Sequence, residues 1–189
     1  MIQIDKKLIQ ELLDKALVNP RLRQNMDLRT SADDHSQRML NALQPGTVVP
    51  VHRHPMSSEN VFLLCGKLVE VIYSLTPAPS TNGEGRLVEV ERFMLDPSVG
   101  NFGCVVPAGA WHTVEVLEPS VIYEAKDGAF GSDGSEGFDP MKKLMEQITY
   151  LIGMERQSGS MDVISPLYVS RMLNVPLEEV EEAMKEMGV

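Results

Sequence analysis

The chain has 189 residues, enough for one domain of ordinary size or for one domain with a small appendage. Its hydrophobic content of 43% excludes general disorder, and no apolar run is long enough to cross a membrane. The formal net charge of −10 argues against a nucleic-acid partner, because phosphate binding needs a basic surface, and favours a small molecule or a protein.

Two further features concern the cellular compartment. The segment MIQIDKKLIQELLDKAL is charged throughout and lacks the apolar core and cleavage site of a signal peptide, which predicts a cytoplasmic protein. Cys65 and Cys104 are too few for a disulfide framework in a chain of this size, and both fall in apolar runs. We expect them to be buried free thiols.

Residues 5–18 predict an amphipathic helix with Asp5 as its N-cap and Asn19 at its end. The leucines at helical spacing are Leu8, Leu12, Leu13 and Leu17. The segment 20–36 is polar and rich in turn residues, which predicts an irregular connection to the next element.

From Gln37 the pattern changes to short runs that are β-branched or alternate between apolar and polar residues. The runs are QRMLNAL, VVPVH, NVFLLC, KLVEVIYSL, RLVEVERFML, FGCVVP, HTVEVL and SVIYEAK. Eight such runs in about 90 residues predict an all-β sandwich or barrel. The longest break, residues 76–85, is predicted to be a loop between two strands of a hairpin.

Near residue 130 the composition shifts again. The segment GAFGSDGSEG is rich in Gly and Ser, which is typical of a linker, and three helical patterns follow it: DPMKKLMEQITYLIG, SPLYVSRMLN and PLEEVEEAMKEM. The predicted organisation is a β domain with its N-terminal helix at 1–130, a linker at 131–138 and a helical extension at 139–189.

The last two helical patterns superficially resemble a helix-turn-helix. Residues 178–186 contain five glutamates and one lysine, whereas a helix that enters the major groove should be basic. We therefore expect a small bundle that packs on the barrel or on a second subunit. A peptide-binding or protein-binding module is the alternative.

The sequence also contains a candidate metal site. His52 and His54 are two residues apart, so on a strand they point to the same face, and Glu59 follows on the next strand or in the turn before it. A second segment, PAGAWH, contributes His112 from about fifty residues further on. Three imidazoles and a carboxylate suit Fe, Mn, Zn, Ni or Cu.

A lone histidine in a strand is usually an ordinary hydrogen-bonded residue, but three of the four histidines fall in these two segments. The spacing G-x5-H-x-H-x4-E-x6-G, which runs from Gly46 to Gly66, is expected by chance in on the order of one in 10⁴ to 10⁵ chains of this length. The spacing therefore favours a metal site over a coincidence.

Both segments resemble the two motifs of the cupin superfamily, and the first has the full spacing. The second matches as P-x-G-x-x-H, with Val116 where the motif often has Asn. Over roughly residues 1–130 the chain is similar to WbuC-type cupin fold metalloproteins, on segments such as PRLRQNMDL, QRMLNALQPGTVVPVHRHP and PAGAWHTVEVLEPSVIYEAKDGAF. Those are small bacterial proteins, some encoded in O-antigen gene clusters. The helical extension is not part of that pattern.

The resemblance implies a mainly β, double-stranded β-helix (a jelly-roll barrel) that binds one divalent transition metal, with Fe, Mn, Zn or Ni as candidates. It also implies that the ligands are His52, His54, Glu59 and His112. Four protein ligands leave one or two open positions on a five- or six-coordinate metal, whereas a tetrahedral zinc would leave none. Barrels of this class often dimerise, so we expect a homodimer.

Other polar residues near the motifs are candidates for weaker reasons. Arg21, Arg23, Gln24 and Asn25 could close over the barrel mouth and bind an anionic or hydroxylated ligand, and Glu124 could reach the cavity. Three remaining residues are expected to be structural, on the surface or in packing: Arg53, Trp111 and His35.

Three functions fit these observations. The first is a metal-dependent enzyme acting on a small polar substrate that could be derived from a saccharide. The second is a non-catalytic module that binds or senses a small ligand, with the helical extension as its interaction element. The third is a purely structural metal site.

Overall fold

The structure is a computed structural model that describes residues 1–31, 33–75, 87–129, 131–159 and 164–189. Two compact units make up the chain. The first, which we call the barrel unit, comprises Met1–Ser74 and Glu89–Phe138. The second, the helical unit, comprises Leu75–Val88 and Asp139–Val189.

Within the described ranges, eight strands form one sheet. They are β1 (Arg23–Asp27), β2 (Ser36–Leu43), β3 (His52–Arg53), β4 (Glu59–Leu75), β5 (Leu87–Leu95), β6 (Gly103–Val106), β7 (Trp111–Asp127) and β8 (Glu136–Gly137). The order β1-β2-β7-β3-β8 forms one path, and β4 pairs with β5, β6 and β7. The helix α1 (Lys6–Val18) precedes the sheet.

The long strand β7 curls the sheet around an interior, because it pairs with different neighbours along its length. Its C-terminal part pairs antiparallel with all of β2, its N-terminal part pairs with β3 at His112, and β4 runs antiparallel to most of it. This arrangement confirms the predicted fold class, a mainly β double-stranded β-helix with an N-terminal helix and C-terminal helices.

Apolar side chains fill the barrel unit in two groups. One group lies inside the curled sheet and consists of Leu43, Val61, Leu63, Leu68, Leu95 and Ile122. In the other group, α1 packs against the sheet through Leu12 and Ala16, which contact Leu40 and its buried neighbours. Asp5 caps α1 as predicted, since its carboxylate accepts a hydrogen bond of 2.9 Å from the backbone N–H of Leu8.

Gly66 interrupts the strand β4 with a bulge. Its φ is +89°, in the left-handed region, and the register with β7 shifts between Leu63 and Leu68. In a regular strand, residues an odd number of positions apart face opposite sides, but an inserted residue reverses the sides for all residues that follow it. Glu59 before the bulge and Glu70 after it are eleven positions apart, and both therefore face the interior cavity described below. The two predicted strands at 60–65 and 67–75 are therefore one bent strand.

The structure corrects four further expectations. Part of the segment 20–36, predicted to be irregular, forms β1, which pairs with β2. The segment 131–138, predicted as a linker, lies in the barrel unit, where β8 pairs with β3. The runs HTVEVL and SVIYEAK belong to the single strand β7. Cys65 and Cys104 are free thiols as expected, but they are half-buried rather than buried. The predicted loop at 76–85 lies outside the described residues.

The helical unit contains α2 (Pro140–Ser158), α3 (Pro166–Leu173) and α4 (Leu177–Met187), as the sequence predicts. Asp139 and Ser165 cap the first two through their side chains. Seven buried residues form its own core: Leu144, Ile148, Ile152, Val169, Val180, Ala183 and Met184. Among the described residues, no helix combines the length and hydropathy needed to span a bilayer.

Candidate metal centre

Four side chains converge at the centre of the barrel unit. His52 on β3 lies directly opposite His112 on β7, and their ring centroids are 4.3 Å apart. His54 follows on the same side, with its ring 5.1 Å from that of His52 and 5.3 Å from that of His112. Glu59 begins β4. One ligand atom from each of the four residues lies within 4.8 Å of all the others, so the group could hold a metal ion.

The atoms that face each other in this cluster lack other partners. His54 Nε2, Glu59 Oε2 and His112 Nε2 are buried, and none has a hydrogen bond to the described residues. Glu59 Oε2 lies 2.6 Å from His54 Nε2 and 3.9 Å from His112 Nε2, but neither contact has the geometry of a hydrogen bond. Leaving buried polar atoms unpaired is costly. A cation bound by all of them would remove that cost, so the residues fit a metal ion.

The opposite nitrogens of two rings fix the tautomer that a metal ligand needs. His52 Nδ1 lies 2.9 Å from the carbonyl oxygen of Pro50, and His112 Nδ1 lies 3.0 Å from that of Ala110. Because a carbonyl oxygen can only accept, each Nδ1 carries the proton and donates it. The lone pair of each ring is then on Nε2, which faces the cluster.

His54 is held by a buried polar network from the end of the barrel unit. Its Nδ1 lies 2.7 Å from the hydroxyl oxygen of Ser135, and that hydroxyl donates to the carboxylate of Asp133. Lys126 donates to the same carboxylate in an ion pair whose two side chains are each only 1% exposed, and its Nζ lies 3.0 Å from His54 Nδ1. Ser135 and Asp133 belong to the segment that the sequence predicts as a linker.

Burial and neighbouring groups shift the pKa values of three residues in the cluster. Burial lowers the pKa of His52, and it lowers the pKa of His112 to about 4 with a further contribution from the neighbouring His52. Burial raises the pKa of Glu59, but the close contact with His54 and the charges of the other histidines outweigh it, so that pKa is lowered. A neutral imidazole at His52 and at His112 and a carboxylate anion at Glu59 are the forms in which these groups bind a cation.

A cavity of about 400 Å³ opens onto the cluster. The four predicted metal ligands line it. So do the predicted ligand-binding residues Arg21, Arg23, Gln24, Asn25 and Glu124. The structure therefore brings every candidate site residue of the sequence to one cavity.

The surroundings of the weaker candidates differ. Asn41 donates to the carboxylate of Glu124, and burial raises the pKa of Glu124 well above its usual value, with the charges of Glu59 and Glu70 adding to the effect. Arg23 is half-buried and donates to the carbonyl oxygen of Val48 at 3.4 Å. Arg21 and Asn25 are exposed. Their roles as ligand-binding residues stay predictions.

The residues expected to be structural behave accordingly. Arg53 forms an ion pair of 2.6 Å with Glu136, and its guanidinium carbon lies 4.7 Å above the Trp111 ring. Trp111 is buried and packs edge-on against Phe138, with the ring centroids 5.5 Å apart. His35 is exposed and does not line the cavity.

Sequence reasoning missed Glu70. This carboxyl is 1% exposed, lines the cavity, and neither of its oxygens has a hydrogen bond to the described residues. Burial, with the charge of Glu59 as a second cause, raises its pKa to about 8. The available signal was an acidic residue inside the apolar run KLVEVIYSL, whose residues Leu68–Val71 are buried on both faces of the strand.

The Glu70→Gln variant of the metal-free protein is expected to gain stability over wild type as the pH rises from about 5 to 8. In wild type the folded carboxyl keeps its proton up to a pKa of about 8, whereas the unfolded chain releases it above its ordinary value of 4.5. The unfolded state then binds fewer protons, so wild-type stability falls with rising pH in this window. Urea unfolding of both proteins at several pH values, in the presence of a chelator, measures the difference; parallel pH profiles would contradict it.

Part of the chain matches a known protein family, and the structure is similar to several solved structures. Residues 4–79, less than half of the chain, match a family model described as "Domain of unknown function (DUF6016)". No curated protein matches. Three similar solved structures have low identity. The protein TT1209 from Thermus thermophilus is 21% identical over 68% of this chain and 99% of its own, with a TM-score of 0.45.

This chain covers a smaller share of the other two similar structures. Peruvianin-I, a cysteine peptidase from Thevetia peruviana latex, is 15% identical over 61% of this chain, with a TM-score of 0.45; this chain spans 66% of its length. The cupin domain of Schizosaccharomyces pombe Cnp3 is 12% identical over 56% of this chain and 64% of its own, with a TM-score of 0.40. The WbuC-type resemblance stays a prediction.

Proposed function

We propose that this protein binds one divalent transition metal through His52, His54, Glu59 and His112, and that it is a metal-dependent enzyme acting on a small polar substrate. The observation that carries the proposal is the set of three buried ligand atoms, His54 Nε2, Glu59 Oε2 and His112 Nε2, that point into one space without other partners. Fe, Mn, Zn and Ni all accept these ligands.

The cavity supports a function beyond a structural site. Four protein ligands leave one or two positions on a five- or six-coordinate metal, and a metal bound here would polarise a substrate oxygen that reaches it. The cavity of about 400 Å³ is large enough for a small ligand and leads from the cluster to Arg21, Arg23 and Asn25. These polar side chains, with Glu124, would orient the substrate.

A saccharide-derived substrate is the finer form of the proposal. It comes from the similarity to WbuC-type proteins, some of which are encoded in O-antigen gene clusters. The second candidate is a non-catalytic module that senses a small ligand. The compact helical unit, with its own apolar core, favours that candidate because a separate unit could contact a partner.

A homodimer is a further proposal. The outer surface of β4 and β6 exposes Phe62, Leu64 and Val105, and Phe102 precedes β6 with 59% of its surface exposed. Apolar side chains that are neighbours on a sheet surface often mark a contact between subunits. Light scattering that gives the mass of one chain would contradict the dimer. The cytoplasmic location stays a prediction.

The test of the metal site is His52→Ala, with His35→Ala as the matched control because His35 is exposed and outside the cavity. We expect about one metal per chain in wild type and in the control after purification without added metal. The His52→Ala variant should bind at least about a hundredfold more weakly, since even residues that only support a ligand contribute about ten- to a hundredfold.

The measurements are elemental analysis and titration of metal-free protein with Mn²⁺ and Zn²⁺, with circular dichroism to show that the fold is retained. Equal metal affinity in the three proteins would refute the site. Substrate turnover that is lost with the metal would support the enzyme. Binding of a small ligand without turnover would support the sensing module.

A further inference from the structure

Glu70 is in a position that folding alone does not favour. Both carboxyl oxygens are buried without a hydrogen bond to the described residues, and the side chain is 1% exposed. A buried carboxyl without partners destabilises a protein, and an apolar residue of similar size would avoid that cost. Such a group is commonly retained because it binds something that enters the site.

The strand register places Glu70 close to the metal centre. Glu70 lies opposite Val114, and Ile72 lies opposite His112, so Glu70 and His112 are diagonal neighbours on one face of the β4–β7 pair. Diagonal neighbours are about 7–8 Å apart, measured between their Cα atoms. Both residues line the cavity. A ligand with one oxygen at the metal and another oxygen two or three bonds away could therefore contact both.

Glu70 faces this space as a hydrogen-bond donor. The side chain is 1% exposed, and both burial and the negative charge of Glu59 disfavour its ionised form. An acid in such surroundings keeps its proton near neutral pH and donates it in a hydrogen bond. Its partner would be an acceptor oxygen of the ligand, such as a hydroxyl, carbonyl or carboxylate oxygen.

Two basic residues, Arg21 and Arg23, also line this cavity. Arg21 makes no side-chain hydrogen bond or ion pair with the described part of the chain, and Arg23 has only the contact of 3.4 Å to the carbonyl oxygen of Val48. The chain as a whole carries a formal charge of −10, so two guanidiniums with free donors at one opening are a local exception. Guanidinium donors match the geometry of a carboxylate.

We propose that Glu70 is a ligand-binding residue and that the cavity takes a small polyhydroxy carboxylate, with hydroxyl oxygens at the metal and at Glu70 and the carboxylate at Arg21 and Arg23. This inference rests on the proposed metal site, because the hydroxyl end needs the metal. It goes further in naming the ligand class and a residue outside the metal cluster.

The test uses full-length, metal-loaded protein and two probes that differ in one group. Gluconate and sorbitol share a polyhydroxy chain, but only gluconate has a carboxylate. Calorimetry with the metal at saturating concentration throughout should show gluconate binding at least about tenfold more tightly than sorbitol. The Arg21→Gln variant should reduce that preference.

Variants of Glu70 separate binding from folding. The Glu70→Leu variant should keep one metal per chain, lose about tenfold or more in gluconate affinity, and melt at a higher temperature than wild type when both are metal-free. The Glu70→Gln variant keeps a donor and should stay within about threefold of wild type. Glu91→Gln, on an exposed residue of β5, is the control that should change nothing.

The outcomes distinguish this inference from the proposed function. If wild type binds no metal, the proposed function fails. If metal binds normally but gluconate is not preferred over sorbitol, or if Glu70→Leu binds gluconate as well as wild type, this inference fails and the metal site stands. A metal-free Glu70→Leu protein that is less stable than wild type would show a structural role for Glu70 and would also overturn the inference.

Discussion

The Gly66→Ala variant is expected to lose about 4 kcal/mol or more of its free energy of unfolding. Gly66 has a φ of +89°, which an alanine adopts only with strain. An added Cβ would also overlap the carbonyl oxygen of Pro119 and lie 2.7 Å from the Cα of Ser120. Since these are backbone atoms of the paired strand β7, they cannot move aside without breaking the register.

The Gly100→Ala variant is the control that measures the cost of backbone strain without any steric overlap. Gly100 has a φ of +92°, and a Cβ there would meet nothing within 4 Å, so only the strain of about 1–2 kcal/mol remains. Urea unfolding followed by the fluorescence of Trp111, the single tryptophan of the chain, reports on the barrel unit for both variants. Equal losses of stability in the two variants would show that the close approach at Gly66 is unimportant.

The Asp133→Asn variant is expected to lose about 3–5 kcal/mol of stability. Lys126 and Asp133 form an ion pair in which each side chain is 1% exposed, so the change leaves the buried ammonium group of Lys126 without its direct ion-pair partner. Burial already lowers the pKa of Lys126, which shows that its surroundings disfavour the charge. The variant should also bind metal about ten- to a hundredfold more weakly, because Asp133 and Ser135 orient His54.

Two further variants test this explanation by the same unfolding measurement. Glu136→Gln removes the partner of Arg53 from an ion pair that is partly exposed, and should change stability by less than about 1 kcal/mol. Adding Lys126→Met to Asp133→Asn removes the uncompensated charge and should recover most of the loss. If the double variant is as unstable as Asp133→Asn, the loss of stability comes from lost hydrogen bonds and not from the unpaired charge.

The convergence of the four candidate ligands can be predicted from the sequence for a physical reason. Strand residues two positions apart face the same side, so the spacing of His52 and His54 fixes their common direction before any tertiary structure is known. The paired motif adds His112 in the second segment, and the register places it directly opposite His52. Caps such as Asp139 and Ser165 are equally local signals, which explains why the helices begin where the sequence predicts.

What the sequence does not predict depends on contacts between distant segments. β1 has the polar sequence RQNMD and forms a strand because β2 supplies its hydrogen-bond partners. The bulge at Gly66 changes which residues of β4 face inward, so alternation from Glu59 onward gives no reason to place Glu70 in the cavity. The residues 131–138 have the composition of a linker. Their structure depends on partners elsewhere in the chain, since β8 pairs with β3 and Asp133 pairs with the buried Lys126.

The placement of β8 has a practical consequence for dissecting the protein. A fragment that stops at residue 130, where the composition changes, would lack a strand of the sheet and both side chains that steady His54. Cleavage or fusion after Phe138 would leave that support in place, because Asp139 is the first residue assigned to the second unit after the barrel. The barrel unit therefore extends eight residues past residue 130 and includes the segment whose glycines and serines predict a linker.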